Sequence, residues 1–373
     1  MHEGERNEEI SAFLGERIAA GDFPSAVYLV AERGRVRFRD ALGHAVREPL
    51  ERMAALDTIY DLASLTKPLV TGMLCARYVE TKELKLDEEV RVYLPEFDTP
   101  DKRAVTVRHL LTHASGLPAW QPLYITTGGR KGETLRVIAS QPLEAAPGAR
   151  VRYSDLGFIT LGLLLERISG EQLKEVARRE IFEPLGLRRT FFNPEMALQT
   201  ETAACETGNL YERGMCNDLK LGESYADWRE QLIWGEVHDG NAHFLGGAAG
   251  HAGLFSTASE TLRIAEQFLA GRTQLLKPET CALFHTNMTE GLEEARSFAW
   301  QLAGTKDSTA GQDLPSASFG HTGFTGTSCW IDPERERVFL LFTNRTHAAR
   351  SLPFVNINGV RRRFHSMAAK ALG

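Results

Sequence analysis

The chain has 373 residues, 43% hydrophobic and 25% charged, an ordinary globular composition long enough for a large core and for two domains or one domain with a big insertion. Its formal net charge of −6 argues against nucleic acid as a partner, because binding phosphate needs a basic face. The charged start Met1-His2-Glu3-Gly4-Glu5-Arg6 lacks the apolar core of a secretory leader, and the most apolar window, residues 156–165, is too short to span a bilayer.

Apolar residues at Ile10, Phe13, Leu14 and Ile18 predict a helix over Glu8–Ala20, closed by Gly21 and Pro24. Two apolar runs, residues 26–31 and 36–39, flank Glu32-Arg33-Gly34-Arg35 and read as a β-hairpin. The stretch Asp61-Leu62-Ala63-Ser64-Leu65-Thr66-Lys67-Pro68 opens an apolar helix expected to start near Ser64 and to run to about Glu80. Residues 84–181 are mostly helical in pattern, with a short helix over 105–113 and a buried one over 155–168 that stops at Gly170. Residues 184–234 have no clean period and read as long excursions with short helices. Thr257 and Glu260 have the spacing of a capping box, opening a helix through Leu262, Ala265, Phe268 and Leu269. Strand patterns return at 328–331 and 338–343, and a final helix carries Val360, Phe364, Met367, Ala368 and Ala371 on one side. Strands near both ends with helices between them predict an α+β fold. Its antiparallel sheet is flanked by N- and C-terminal helices and built from residues 1–75 and 245–373, with residues 76–244 as an inserted, mainly helical domain.

Ser64 and Lys67 stand three residues apart, so on a helix the amine can reach the hydroxyl, and an adjacent base is what makes serine a nucleophile. Alone the pair says little, since about one or two such spacings arise by chance in a chain this long. Tyr153 precedes the buried helix at a loop junction, where a phenol near an ammonium can shuttle a proton; a core tyrosine would look the same. In Gly320-His321-Thr322-Gly323-Phe324-Thr325-Gly326 the glycines suggest that something approaches the backbone closely, a substrate lying alongside being one candidate.

Together these segments resemble the serine β-lactamase/penicillin-binding-protein superfamily, in particular its class C-like branch of esterases, D-amino peptidases and transesterases. The resemblance rests on Ser64-Leu65-Thr66-Lys67, on Tyr153-Ser154-Asp155 in place of Tyr-x-Asn, and on His321-Thr322-Gly323 in place of Lys-Thr-Gly. Stretches 107–117 and 250–257 support it, and the order holds from about residue 23 to 344. The resemblance implies a β-lactamase/transpeptidase-like fold and an acyl-enzyme on Ser64, with Lys67 and Tyr153 sharing the proton as general base and then acid. It also implies an oxyanion hole of the Ser64 and Phe324 N–H groups, substrate contacts from Asp155, His321, Thr322 and Gly323, and no cofactor or metal. Which of Lys67 and Tyr153 is the resting base stays open.

The departures shift the expected substrate. Asp155 lacks the amide donor of asparagine, and His321 carries less positive charge at neutral pH than lysine. Both weaken recognition of a β-lactam or peptide carboxylate and favour small esters, with acyl transfer to alcohols. A D-amino peptidase, carboxypeptidase or weak β-lactamase is the alternative, and a non-catalytic penicillin-binding-like module a second one. The expected partner is a small-molecule ester or amide.

Two histidine groups bear on metal binding. His109 and His113 lack the neighbouring glutamate of a zinc motif, and the run from His238 to His243 with His251 reads as a polar brace for the cleft floor. No Gly-x-Ser-x-Gly elbow offers a rival serine. The five scattered cysteines form no Cys-x-x-Cys and fit a cytoplasmic protein, although an exported chain whose signal had been removed would read the same.

Overall fold

The computed structural model describes residues 4–349 and 352–373. In chain order its strands are β1 (Ser25–Glu32), β2 (Arg35–Val46), β3 (Arg52–Met53), β4 (Tyr60–Asp61), β5 (Phe191–Phe192), β6 (Leu254–Ser256), β7 (Gln301–Leu302), β8 (Phe319–Thr322), β9 (Ser328–Asp332) and β10 (Arg337–Thr343). Seven of them form one antiparallel sheet in the order β3-β2-β1-β10-β9-β8-β7, so the beginning and end of the chain meet at the β1–β10 pair. The fold is the expected α+β one, with the helices Glu8–Ala20 and Asn358–Leu372 on one face of the sheet.

Side chains of a strand alternate between its faces, and β1 is apolar on both. Val27, Leu29 and Ala31 enter the larger core, whereas Ala26, Tyr28 and Val30 pack with Phe13, Leu14 and Phe364 of the terminal helices. Strand β10 does the same, sending Val338, Leu340 and Phe342 one way and Phe339 and Leu341 the other. The β1–β2 hairpin turns at Arg33 and Gly34, whose φ values of 50° and 73° match the two-residue turn that follows strand twist.

Strands β4, β6 and β5 make a small second sheet in that order. Strand β5 belongs to the stretch without a clear period; two residues are too few to leave a pattern. The buried helix runs over Asp155–Ser169, with Ser154 as its cap (Oγ accepts from the Gly157 N–H at 3.2 Å) and Gly170 at φ 72° as its stop. No helix among the described residues is long and apolar enough to cross a membrane.

Three local expectations change. The Ser64 segment is not one α-helix: a 3₁₀ turn (Ala63–Leu65) leads into a π-helical stretch (Lys67–Gly72) and only then into an α-helix (Met73–Glu80). Pro68 supplies no N–H, and the wider register closes with the Met73 N–H on the Pro68 carbonyl. At the second site Thr257 does accept from the Glu260 N–H (3.2 Å), but the Glu260 carboxylate takes the Arg188 and Arg189 N–H groups and the Thr190 hydroxyl instead of turning back. Three donors outweigh one, and the α-helix there ends at Ala265.

The third change concerns Gly320 and Gly323, where neighbouring protein fills the space that a side chain would take. A Cβ on Gly320 would lie 2.1 Å from the Trp330 ring, and one on Gly323 would lie 2.5 Å from the Leu62 carbonyl oxygen.

Candidate active site

Ser64 sits at the end of a loop braced by a buried carboxylate. Asp61 accepts the Ala63 N–H through Oδ1 and the His238 N–H through Oδ2, both at 2.8 Å. Ala63, immediately before Ser64, has φ 46°, a left-handed conformation costly for a residue with a Cβ. The Thr66 hydroxyl holds the turn by donating to the Ala63 carbonyl at 2.6 Å.

Lys67 is fully buried, with two hydrogen bonds and an ion pair. Nζ lies 2.9 Å from Ser64 Oγ, 3.0 Å from the His251 carbonyl oxygen and 2.7 Å from Asp155 Oδ1. Burial opposes the charge on Lys67, but the Asp155 carboxylate and the Tyr153 phenol outweigh it and raise the pKa, so the side chain rests as an ammonium. That ammonium is 4.9 Å from the centroid of the Tyr153 ring. Burial raises the phenol's pKa, and Lys67 pulls it part of the way back, with Ser64 as a further hydrogen-bonding neighbour. Ser64, Lys67, Tyr153 and Asp155 thus cluster at a cleft of about 420 Å³.

His113 holds the tyrosine's loop in position. It lies just past the short helix Val107–Leu111 at φ 58°, and its Nδ1 accepts the Ser154 N–H at 3.1 Å. Its carbonyl accepts the Arg152 N–H at 2.8 Å, and its ring lies 4.6 Å from that of Tyr153. His109 instead caps the helix, its Nδ1 accepting the Thr106 N–H at 3.2 Å.

Thr322, Gly323 and Phe324 line the cleft beside Ser64, Tyr153 and Asp155. His321 does not belong to that wall. Its ring is buried 5.9 Å from Tyr153 and its Nδ1–H donates to the Thr322 carbonyl at 2.9 Å. Burial, reinforced by Lys67, drives the imidazole pKa well below its usual range, so the position that reads as partly charged in the sequence is neutral. Asp155 lines the cleft, and its carboxylate also pairs with Lys67.

The turn after β8 is fastened to the Ser64 loop by two hydroxyls. Thr325 donates to the Asp61 carbonyl at 2.7 Å and Thr327 to the Leu62 carbonyl at 3.0 Å. The N–H groups of Ser64 and Phe324 have no acceptor among the described residues. Trp120 lines the cleft as well, with Tyr211, Glu212 and Met215 of a short helix, Leu210–Asp218, in the stretch without a clean period. Burial, then Asp239, pushes the Glu212 carboxyl up to about 7. His238 and His251 pair with Glu206 (2.8 Å) and Asp239 (2.9 Å), a polar network at the cleft floor.

A family model described as Beta-lactamase matches residues 10–359. A protein of Escherichia coli (strain K12) named "Putative D-alanyl-D-alanine carboxypeptidase" is 30% identical over 384 residues, covering 95% of this chain and 86% of the relative. Among solved structures, EstCE1, described as a hydrolase with promiscuous acyltransferase activity, superposes with a TM-score of 0.73 at 24% identity over 96% of this chain and 98% of the other. A β-lactamase/D-alanine carboxypeptidase from Pseudomonas syringae gives a TM-score of 0.73 at 17% identity, covering 96% and 97%. This chain, with its Ser64–Lys67–Tyr153 network in that fold, belongs to the beta-lactamase family of hydrolases.

Proposed function

We propose that this protein is a serine hydrolase that cleaves small carboxylic esters through an acyl-enzyme on Ser64 and passes the acyl group to water or to an alcohol. The observation that carries the reading is the 2.9 Å contact between Lys67 Nζ and Ser64 Oγ at the base of an open cleft. Ser64 Oγ attacks the ester carbonyl while its proton passes into the Lys67–Tyr153 pair. The Ser64 and Phe324 N–H groups receive the oxyanion, at a few kcal/mol for each donor. The same proton then goes to the departing alkoxide, and water or an acceptor alcohol repeats the sequence in reverse. With Lys67 resting as an ammonium and Tyr153 as a phenol, the competent form is the one in which the coupled pair has lost one proton.

Esters are favoured over β-lactams and peptides by two features. A neutral, buried His321 offers no cation to a substrate carboxylate, and Asp155, committed to Lys67, offers no amide N–H to a substrate carbonyl. A D-amino peptidase or carboxypeptidase is the second reading, favoured by the name of the Escherichia coli relative.

Nitrophenyl esters assayed beside a chromogenic cephalosporin and a D-alanyl amide separate the two. Ester turnover is expected to exceed both, and to vanish in Ser64→Ala together with labelling by a fluorophosphonate. Faster turnover of the cephalosporin or the amide would overturn the ester reading. Folded parent protein that resists the fluorophosphonate would point to a binding module.

A further inference from the structure

Arg361 is a guanidinium where a cation is expensive to keep. It is buried on the helix Asn358–Leu372 at the lining of the cleft, Arg345 adds like charge nearby, and none of the ion pairs among the described residues includes it. A buried charge without a counter-ion is retained only where its hydrogen bonds accomplish something. Its partners are backbone and amide oxygens: Nη2 donates to the Gly323 carbonyl at 2.7 Å and to the Thr327 carbonyl at 3.0 Å, and Nη1 donates to Asn358 Oδ1 at 3.0 Å.

The Gly323 carbonyl and the Phe324 N–H belong to one peptide unit. In a planar trans peptide the C=O and N–H point in opposite directions, and the 323–324 bond is not among the cis bonds of this chain. A donor that fixes the carbonyl therefore fixes the N–H, aiming it away from the guanidinium and polarising it. Arg345 holds the next peptide by donating from Nε to the Phe324 carbonyl at 2.7 Å. On the other side, Thr325 and Thr327 hold the turn against the Ser64 loop. We propose that Arg361 is a positioning residue for the oxyanion hole, setting the direction of the Phe324 N–H by its grip on the Gly323 carbonyl. The proposal rests on the acyl-enzyme reading above, in which the Phe324 N–H receives the oxyanion.

Arg361→Met and Arg361→Lys, made in the full chain and assayed with neutral nitrophenyl esters, test it. Arg361→Met is expected to lower kcat by roughly tenfold to a hundredfold, less than loss of a donor outright, with KM within about twofold. Arg361→Lys, which keeps one donor within reach of the Gly323 carbonyl, is expected to recover part of the loss. Inhibition by a phenylboronic acid, whose tetrahedral adduct needs the same N–H, is expected to weaken in parallel. A kcat within about twofold of the parent in both variants, with unchanged melting temperature, overturns the proposal. So does a loss confined to esters that carry a carboxylate, which would make Arg361 a direct anion contact. Should Arg361→Met not fold, Asn358→Ala, which frees one side of the guanidinium, reads the same kcat. Fluorophosphonate labelling of the parent is scored separately: its failure removes the acyl-enzyme reading, whereas labelled parent with indifferent variants removes only this inference.

Discussion

Lys67 donates to the Ser64 hydroxyl and the His251 carbonyl, and a carboxylate lies 2.7 Å away. Burial pulls the pKa of this lysine down; Asp155 and Tyr153 outweigh it, and Asp155 also raises the phenol of Tyr153. In Asp155→Asn both groups lose the influence that favours their protonated forms, so the pair releases its first proton at lower pH. Because that release generates the competent form, the rise of kcat/KM with pH for a neutral ester is expected to move down by about one to two pH units. The same substitution supplies an amide donor, so turnover of the D-alanyl amide is expected to increase relative to the ester. A pH profile that stays in place would show that the titrating group lies outside this network. Asp155 was visible in the sequence as a departure from asparagine, but its partner was not. That pairing depends on a π-helical turn presenting Lys67 to the first residue of a distant helix, which no local pattern encodes.

At the scale of elements, the site depends on how closely one turn approaches one loop. Gly323 packs against the Leu62 carbonyl so tightly that a Cβ would come within 2.5 Å of it, and within 2.1 Å of Thr327 Oγ1. Gly323→Ala must push the turn away from Ser64. It is expected to cost about 1–3 kcal/mol of stability and to abolish ester turnover, the two effects read by thermal melting and by steady-state assay. Gly15, inside the helix Glu8–Ala20, is the contrasting case, since a Cβ there would meet nothing within 4 Å. Gly15→Ala is expected to stabilise the fold by about 0.5–1 kcal/mol through helix preference alone, with activity unchanged. Destabilisation there would show that helix preference is not what limits that element. Long elements with strong patterns, such as the terminal helices, β1, β10 and the buried helix, were legible because periodicity and caps both mark them. The cleft lining by Trp120, Tyr211 and Met215 and the two threonine bonds were not, since they depend on long-range contacts of loops and of a short helix, Leu210–Asp218, that left no clean period. His113 was visible only as a helix-end residue. Its place four residues after His109 raises zinc only to be set aside for want of the neighbouring glutamate, and nothing in that spacing points to a brace for Tyr153.

For the molecule as a whole, the sheet that joins the two ends of the chain buries histidines in their neutral form, and this ties stability to pH. His365 on the C-terminal helix donates from Nδ1 to the Thr309 carbonyl at 2.7 Å and faces the Ser328 hydroxyl of β9 at 3.3 Å. Burial, with Arg361 acting the same way and the Thr309 carbonyl opposing, pushes its pKa down to about 3. An unfolded histidine titrates near 6.5. Between those values the unfolded chain binds a proton that the folded chain does not, so this group's contribution is complete above about pH 6.5 and is lost as pH falls, by about 1.4 kcal/mol per pH unit. His113 and His321 act in the same direction. Glu212, raised to about 7, acts in the opposite one, because there the folded chain binds the extra proton. A single curve of stability against pH mixes these contributions, but the difference between the parent and His365→Gln isolates one of them. Urea unfolding between pH 6 and pH 4.5 is expected to give a shallower loss of stability in His365→Gln, the two slopes differing by about 1.4 kcal/mol per pH unit. Parallel slopes would mean that His365 takes up its proton inside the folded protein, and that the junction between β9 and the last helix admits a charge.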